Sequence, residues 1–351
     1  MKIKLAILES DTGYLNRVVP MFNNKYADEL QIFSFTDEEA AMASLEEKMI
    51  DVFLASSVFK INYAAIPKRC GFAYLVESLD IDKVDSQKAV CKFQKGELIY
   101  KQILSIYSEH IPNITGVTNV DSGAMKVIAF CSPCGGVGTS TTAAACAISL
   151  TSKGYRVLYL NTEVYGESDV FFSCDGQFDF SDVIFAIKSN KTNRPMKLQS
   201  TVKQDVTGVY YYSSVKVPLD MMEMGVNDYL VLQQELKALG CYDYVILDMD
   251  FPKNKNDFEL LQMCNSIVIV SDGSENAEIK LNKAFCTMQI LDMQSGMGLQ
   301  PRMWLLKNKI ATNDMTQNEI RMLGTFPMYQ SVASTQLAKQ LALSNIFDQL
   351  M

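Results

Sequence analysis

The chain has 351 residues, more than one compact core usually organises, so its length predicts two domains. Hydrophobic residues make up 48% of it and charged residues 21%, which is ordinary for a globular protein. Lys and Arg number 32 and Asp and Glu number 40, which gives a net charge of −8. Because a nucleic-acid-binding protein needs a basic face against the phosphates, we expect no nucleic-acid partner.

We expect neither a targeting segment nor a membrane span. Residues 1–9 form too short an apolar run for a secretory signal, and no stretch of about 18 apolar residues follows. A cytoplasmic protein with reduced cysteines is therefore expected. Cys131 and Cys134 have the C-x-x-C spacing of redox and zinc sites. No second pair accompanies them and the single histidine, His110, lies elsewhere, so we interpret the spacing as coincidence.

The first 110 residues predict a small parallel α/β domain. Short runs rich in β-branched and aromatic residues predict strands, which we place at 2–8, 30–34, 52–56, 72–76 and 89–92. Longer amphipathic segments predict helices at 37–48 and 97–109, and Asp37 is a candidate N-terminal cap of the first. We therefore take residues 1–110 as the first domain.

Residues 111–124 are rich in Pro, Asn, Thr, Gly and Ser, a composition typical of linkers. A second domain is predicted over 125–351. Its predicted strands lie at 126–131, 156–160, 208–212, 244–248, 266–271 and 303–307, and its predicted helices at 140–153, 228–239, 276–291 and 334–343. Strands that alternate with helices predict a doubly wound, mainly parallel sheet, in which ligands bind at the carboxyl ends of the strands.

A glycine-rich segment follows the first strand of this second domain. From Cys134 to Ser140 it reads Cys-Gly-Gly-Val-Gly-Thr-Ser, and an Ala-rich helix comes directly after it. Glycines let backbone N–H groups approach an anion, and a helix N-terminus adds further N–H groups and the positive end of its dipole. The segment predicts a phosphate-binding loop in which Ser140 offers a hydroxyl to Mg²⁺ and a side chain at Gly138 would fill the phosphate space. The alternative is a tight strand–helix turn without a ligand.

This loop resembles that of the ParA/MinD superfamily of P-loop ATPases, whose pattern is K-G-G-x-G-K-[ST]. Both lysines of the pattern are absent, because Cys134 and Thr139 stand in their places. In the family the first lysine reaches a phosphate across the dimer interface and the second holds the terminal phosphates. The resemblance implies ATP and Mg²⁺ as cofactors, bound without rapid hydrolysis. The loop residues that it assigns to the cofactor are Cys134, Gly135, Gly136, Val137, Gly138, Thr139, Ser140 and Thr141.

Two acidic segments match the same family farther along the chain. Residues 154–163 parallel G-x-x-V-L-L-x-D-x-D, with Asn161 and Glu163 at the acidic positions. Residues 242–248 parallel the Walker B strand, which ends here at Asp248. The resemblance implies that Asp248 serves the metal together with the loop serine, and that Glu163 and Asp250 are the candidate catalytic residues near the attacking water.

Three further features complete the family comparison. Lys253 or Lys255, just beyond the Walker B strand, would supply some of the charge that the loop lacks. Residues 303–308 resemble a family strand that ends in Asn followed by Lys or Arg, which implies that the Asn308 amide reads the adenine edge. Residues 323–327 resemble I-G-x-I-P, whose following loop flanks the base, and this adds Pro327 to the candidate nucleotide-binding residues.

The first domain resembles a response-regulator receiver, which has a flavodoxin-like fold. A receiver carries its phospho-accepting Asp at the end of the third strand, where this chain has Ser56. Glu9 retains part of the acidic cluster, and Lys92 matches the lysine after the fifth strand. Since serine cannot form an acyl phosphate, the resemblance implies a pseudo-receiver that serves protein contacts. An unrelated small α/β domain is the alternative.

A pseudo-receiver ahead of a P-loop domain with a deviant loop resembles the TadZ/CpaE proteins of Tad-type (Flp) pilus assembly. The resemblance implies an ATP-binding localisation factor that forms a homodimer, contacts pilus-assembly or secretion proteins, hydrolyses ATP weakly or not at all, and is recruited to a cell pole or the inner membrane face. The alternatives are an active positioning ATPase and a nucleotide-free scaffold. Because residues 336–351 contain one lysine, Lys339, we expect them to pack against the domain and membrane contact to be indirect at most.

Overall fold

The computed structural model describes residues 2–110, 125–189, 193–310 and 319–351. Its strands are β1 Ile3–Leu8, β2 Leu30–Phe35, β3 Val52–Ser56, β4 Gly71–Val76, β5 Lys83–Val84, β6 Gln87–Cys91, β7 Lys126–Cys131, β8 Val157–Asn161, β9 Lys203–Gln204, β10 Tyr210–Tyr211, β11 Tyr244–Asp248, β12 Ser266–Ser271, β13 Met303–Ile310 and β14 Met322–Pro327. Its helices are α1 Thr12–Lys25, α2 Glu38–Glu47, α3 Gly96–His110, α4 Thr139–Ser152, α5 Phe180–Lys188, α6 Arg194–Thr201, α7 Leu219–Met222, α8 Val226–Leu239, α9 Phe258–Gln262, α10 Glu275–Ser295 and α11 Ser334–Leu341.

These elements form two compact units. The first contains residues 2–110, 189 and 193–201, and the second contains 125–188, 202–310 and 319–351. Each unit has its own sheet and its own buried apolar core, one around β1 and β3 and one around β7 and α4. The prediction of an α/β chain with two domains of this kind is confirmed.

The sheet of the first unit has the strand order β2-β1-β3-β4-β6-β5, and only β5 is antiparallel to its neighbour. Without β5 this is the flavodoxin-like order, as the sequence predicted. The side chain of Asp37 accepts a hydrogen bond from the N–H of Ala40 at 2.9 Å, so the predicted cap of α2 is confirmed. Residues 57–70 and 77–86, which the structure describes in full, contain no α-helix, only a 3₁₀ turn at Tyr63–Ala65 and β5.

The short helix α6 belongs to the first unit, although its sequence lies within the predicted second domain. The Lys197 ammonium is buried and donates to Oγ of Ser105 on α3 at 2.8 Å. It also lies 3.5 Å from a carboxylate oxygen of Glu109, and the N–H of Asn193 donates to the carbonyl of Ser108 at 3.1 Å. The chain therefore leaves the second unit after α5, covers α3 of the first unit, and returns.

The sheet of the second unit has the strand order β14-β13-β12-β7-β11-β8-β10-β9, with β9 alone antiparallel to its neighbour. All six predicted strands are present, and β9 and β14 extend the sheet at its two edges. The central strand β7 pairs with β11 on one side and with β12 on the other. Because the strands are parallel, the segments that follow β7, β11 and β12 all leave the same edge of the sheet.

The C-terminal segment packs into the core of the second unit, as the sequence predicted. Ala338 and Leu341 on α11, and Phe347 and Leu350 beyond it, are buried in the same core as α4. In the described part of the chain, no helix is both long enough and apolar enough to span a membrane.

Candidate functional site

The predicted phosphate loop connects β7 to α4, at the carboxyl edge of the central strands. Gly136 has φ of 79° and Gly138 has φ of 92°, both in the left-handed region that favours glycine. Gly138 is the N-terminal cap of α4, a helix of 14 residues. The loop therefore ends at a helix N-terminus, which is an anion-binding arrangement.

Hydrogen bonds with the strands β12 and β13 hold this loop. The amide of Asn308 donates to the carbonyl of Val137 at 2.8 Å, and the ammonium of Lys309 donates to the carbonyl of Gly136 at 2.6 Å. At the start of the loop, Oγ of Ser132 donates to a carbonyl of β12 at 2.6 Å and accepts from the N–H of Cys134 at 3.1 Å. Two consecutive loop carbonyls are thus fixed by side chains at the end of β13.

A cavity of about 640 Å³ opens over the loop, within the size range of small-molecule sites. The structure brings most of the predicted site residues to its walls, together with residues that follow β11. The lining residues are Ser132, Pro133, Cys134, Gly135, Gly136, Gly138, Thr139, Ser140, Thr141, Glu163, Met249, Asp250, Phe251, Pro252, Lys253 and Lys309.

Four predicted site residues do not line this cavity. Val137 is buried in the core, and Asn308 is buried against the loop carbonyl. Asp248 is buried behind the loop, and Pro327 lies exposed at the end of β14. The structure thus gives Asn308 a loop-holding contact, and its reading of adenine stays a prediction.

A side chain at Gly138 would first meet Asn308. A Cβ atom there would collide with Nδ2 of Asn308, whereas a Cβ on Gly135 would meet nothing within 4 Å. We expect Gly138→Ala to lose about 2 to 3 kcal/mol of stability, because alanine is strained at this φ and the Asn308 contact breaks. Gly135→Ala is the matched control, with an expected loss under about 0.5 kcal/mol. Thermal unfolding of both variants checks this, and equal midpoints would contradict it.

The Walker B carboxylate is fully buried at the end of β11. One oxygen of Asp248 accepts from the Tyr159 hydroxyl at 2.6 Å and from the Asn161 amide at 3.2 Å. The other oxygen, Oδ1, is buried and has no hydrogen-bond partner among the described residues. Burial, together with the charge of the nearby Glu163, raises the pKa of Asp248 to about 7. An unsatisfied buried carboxylate oxygen is the kind of group that a metal ion or a metal-bound water would satisfy.

Glu163 and Asp250 face the cavity from neighbouring strand ends. A carboxylate oxygen of Glu163 accepts from the Ser140 hydroxyl at 3.4 Å, and its backbone N–H donates to the Asn161 side chain at 2.9 Å. Burial and the charge of Asp250 raise the pKa of Glu163. No cluster of three or more His, Cys, Asp or Glu side chains in the described chain is arranged to hold a metal by itself. The residues therefore fit Mg²⁺ only in its usual form, with one or two carboxylates and the oxygens of a ligand.

Two lysines line the cavity, and sequence reasoning anticipated one of them. The ammonium of Lys253 lies 3.5 Å from Asp250 and is exposed, while Lys255 lies outside this cavity. Sequence reasoning gave no role to Lys309, although it stands at the Lys or Arg position of the family strand end. It also missed Tyr159, which shares a strand face with Asn161 by the period of two.

A second set of predicted residues lies in the first unit, at the carboxyl edge of its sheet. Glu9, Ser56 and Lys92 stand at or just beyond the carboxyl ends of β1, β3 and β6, and all three are buried. The Lys92 ammonium lies 3.3 Å from a carboxylate oxygen of Glu9 and 2.9 Å from one of Glu77. The lysine is thus held by two carboxylates.

The chain was compared with known families and structures. Residues 1–108 match the family model "TadZ-like, receiver domain", and residues 125–295 match an AAA domain model. The first unit is thus similar to the TadZ-like receiver family, and the second unit is similar to this AAA domain family. No curated protein matches the chain.

Solved structures resemble the second unit of the chain. The ParA family ATPase of Chlorobium tepidum TLS is 17% identical with a TM-score of 0.51, and the match covers 64% of this chain and 99% of that one. A chain of the MinC:MinD cell division protein complex of Aquifex aeolicus is 15% identical with a TM-score of 0.50, over 64% and 96% of the two chains. The domain therefore has the ParA/MinD fold, and the predictions of a receiver and a ParA/MinD-type domain are confirmed.

Proposed function

We propose that this protein is an ATP-binding, dimerising localisation factor for Tad-type pilus assembly, with slow or absent ATP hydrolysis. The observation that carries the proposal is a P-loop without lysine that two side chains of β13, Asn308 and Lys309, hold in shape over an open cavity. Such a loop retains the backbone groups that bind phosphate but lacks the cation that stabilises charge during transfer. The TadZ-like receiver supports the connection to Tad pili.

In this proposal, ATP and Mg²⁺ are bound by the residues that the sequence assigned to them. The glycines of the loop and the N-terminus of α4 would hold the phosphates. Ser140 and Asp248 would bind the metal, directly or through water, and the metal would neutralise phosphate charge when bound. Oδ1 of Asp248 has no hydrogen-bond partner among the described residues, so it is available for this contact. Asn308 and Pro327 remain the candidates for the adenine side.

The dimer and its partners follow from the same proposal. Closure of two copies over the nucleotide would select one conformation and present a surface to pilus-assembly or secretion proteins. The MinC:MinD complex supports partner binding as a property that this fold accommodates. We propose a cytoplasmic protein, recruited to a pole or to the inner membrane face by other proteins.

Two alternative functions are distinguished by one pair of measurements. An active positioning ATPase is favoured by the presence of Glu163, Asp250 and Lys253 around the cavity, while a nucleotide-free scaffold needs none of them. Titration with labelled ATP, with and without Mg²⁺, tests for a scaffold, because a scaffold shows no saturation. Phosphate release at saturating ATP then tests for an enzyme, for which we would expect about 1 per second or faster. Sedimentation with and without ATP tests the dimer.

Thr139→Lys restores an ammonium group at the position that lost it. We expect ATP to bind about 10 to 100 times more tightly, or phosphate release to become measurable, because a charge-assisted hydrogen bond contributes about 1.5 to 3 kcal/mol. Thr139→Met is the control of similar length without charge. If the Lys and Met variants bind ATP equally and both stay inactive, Thr139 does not occupy the position of the family lysine.

A further inference from the structure

A second groove, of about 680 Å³, lies beside the candidate nucleotide cavity in the second unit. One wall is the segment that follows β11 together with α9, and the other wall is α10. Both walls contribute apolar side chains to its lining. The apolar lining residues are Phe251, Phe258, Ala284, Ile290 and Leu291.

Lysines form the rim of this groove. Lys253 and Lys255 stand on one wall, and Lys280 and Lys283 stand one helical turn apart on the other. Lys253 pairs with Asp250, but Lys255, Lys280 and Lys283 form no ion pair with any described residue. This concentration of positive charge contrasts with the net charge of −8 of the whole chain.

The adjoining surface of α10 carries a row of exposed apolar side chains. Ile279 is 49% exposed, Ile290 is 53% exposed and Met293 is 85% exposed, and Cys286 between them is exposed as well. Their spacings of seven, four and three residues place them along one stripe of a helix that is about 31 Å long. A stripe of this spacing is what one helix presents to another.

The lysines on the rim indicate which kind of partner the groove fits. We propose that the groove and the α10 stripe bind an acidic amphipathic helix of a partner protein. A second copy of this chain, docked by a two-fold axis along α10, would place Lys280 and Lys283 against the same residues of its partner, and like charges in contact are unfavourable. A membrane surface is disfavoured because the site is concave, with one face of α10 packed in the core.

The groove and the nucleotide cavity share a wall. Pro133, Phe251, Pro252 and Lys253 line both, so a ligand in one place contacts the segment that shapes the other. The docking proposal itself rests on the groove and not on nucleotide binding. Its test is therefore made without nucleotide, so that failure of one proposal leaves the other standing.

The experiment measures the anisotropy of a fluorescein-labelled helical peptide with the full-length protein. The peptide has Leu at helical spacings of three and four and Glu on its other face. We expect saturable binding in the micromolar range, and at least about a tenfold loss in the double variant Lys280→Glu, Lys283→Glu. The charge-matched control is Lys216→Glu, Lys339→Glu, two exposed lysines that do not line the groove, and it should bind as the wild type does.

Four outcomes would overturn the proposal. The first is no saturation at millimolar protein, and the second is an equal loss in the control variant, which would indicate only overall charge. The third is binding of a Leu/Lys peptide as tight as that of the Leu/Glu peptide. The fourth is that the groove variant leaves peptide binding unchanged and instead alters one of two other properties. These are self-association in sedimentation and binding to vesicles of equal parts phosphatidylglycerol and phosphatidylcholine.

Discussion

Asp248→Asn should make the nucleotide-free protein more stable at pH 8, by about 2 to 4 kcal/mol. The folded-state pKa of this carboxyl is about 7, whereas its ordinary value is 3.8. Between these two pH values the folded protein holds a proton that the unfolded chain has released. The free energy of unfolding therefore falls as the pH rises from about 4 to about 7. Asparagine does not ionise, so the variant avoids that loss while its amide oxygen still accepts from Tyr159. The stability gain of the variant over the wild type should therefore shrink toward pH 4.

Chemical denaturation in EDTA at several pH values measures this gain. Asp243→Asn is the matched control, because Asp243 precedes the same strand and its pKa is lowered, chiefly by hydrogen bonds from Arg156. That variant should lose stability at pH 8, by less than about 1 kcal/mol since the pair is largely exposed. If both variants changed the free energy of unfolding in the same direction, the raised pKa of Asp248 would be contradicted. The gain in Asp248→Asn should also be accompanied by loss of any Mg²⁺-dependent stabilisation with ATP.

Lys92→Met should destabilise the receiver unit by about 3 to 5 kcal/mol. The side chains of Lys92 and Glu9 are only 6% and 2% exposed, so removal of the ammonium leaves the Glu9 carboxylate buried without its cation. The N–H of Asp11 and the hydroxyl of Ser10 still donate to that carboxylate, at 3.1 Å and 3.3 Å, but neutral donors do not replace a charge.

The same substitution at an exposed pair provides the control for this prediction. Lys25 lies 3.9 Å from Glu97, with both side chains 55% exposed, and Lys25→Met should change stability by less than about 1 kcal/mol. Adding Glu9→Gln to Lys92→Met should recover part of the loss, because the uncompensated charge is then gone. Denaturation curves of the four proteins decide the matter. A loss in Lys92→Met no larger than that in Lys25→Met would contradict a buried ion pair.

The central strands, such as β3, β4, β7 and β12, were predictable from sequence because they are buried on both faces and are therefore almost continuously apolar. The helix α1 was missed, since Pro20 interrupts its pattern even though Tyr14, Val18 and Phe22 are buried at a spacing of four. The helix α6 was missed for a different reason. Its sequence is polar, and Lys197 is buried only because Ser105 and Glu109, far away in sequence, receive it.

For the candidate site, motif spacing located the loop and the acidic residues that face the cavity. Motif spacing could not supply the direction of Cβ at Gly138, which depends on how β13 is placed beside the loop. It also could not supply the contact of Lys309 with a loop carbonyl, or the hydrogen bond that Asp248 accepts from Tyr159. These features depend on which strands are neighbours, and local sequence carries no record of that.

The path of α6 limits how this protein can be divided or recombined. Since the chain crosses between its two units three times, no single cut separates them. A fragment that stops before residue 125 would leave Ser105, Ser108 and Glu109 without the helix that covers them. The receiver is therefore not an N-terminal cassette, and exchange of this module between relatives requires two segments of the gene to be inherited together.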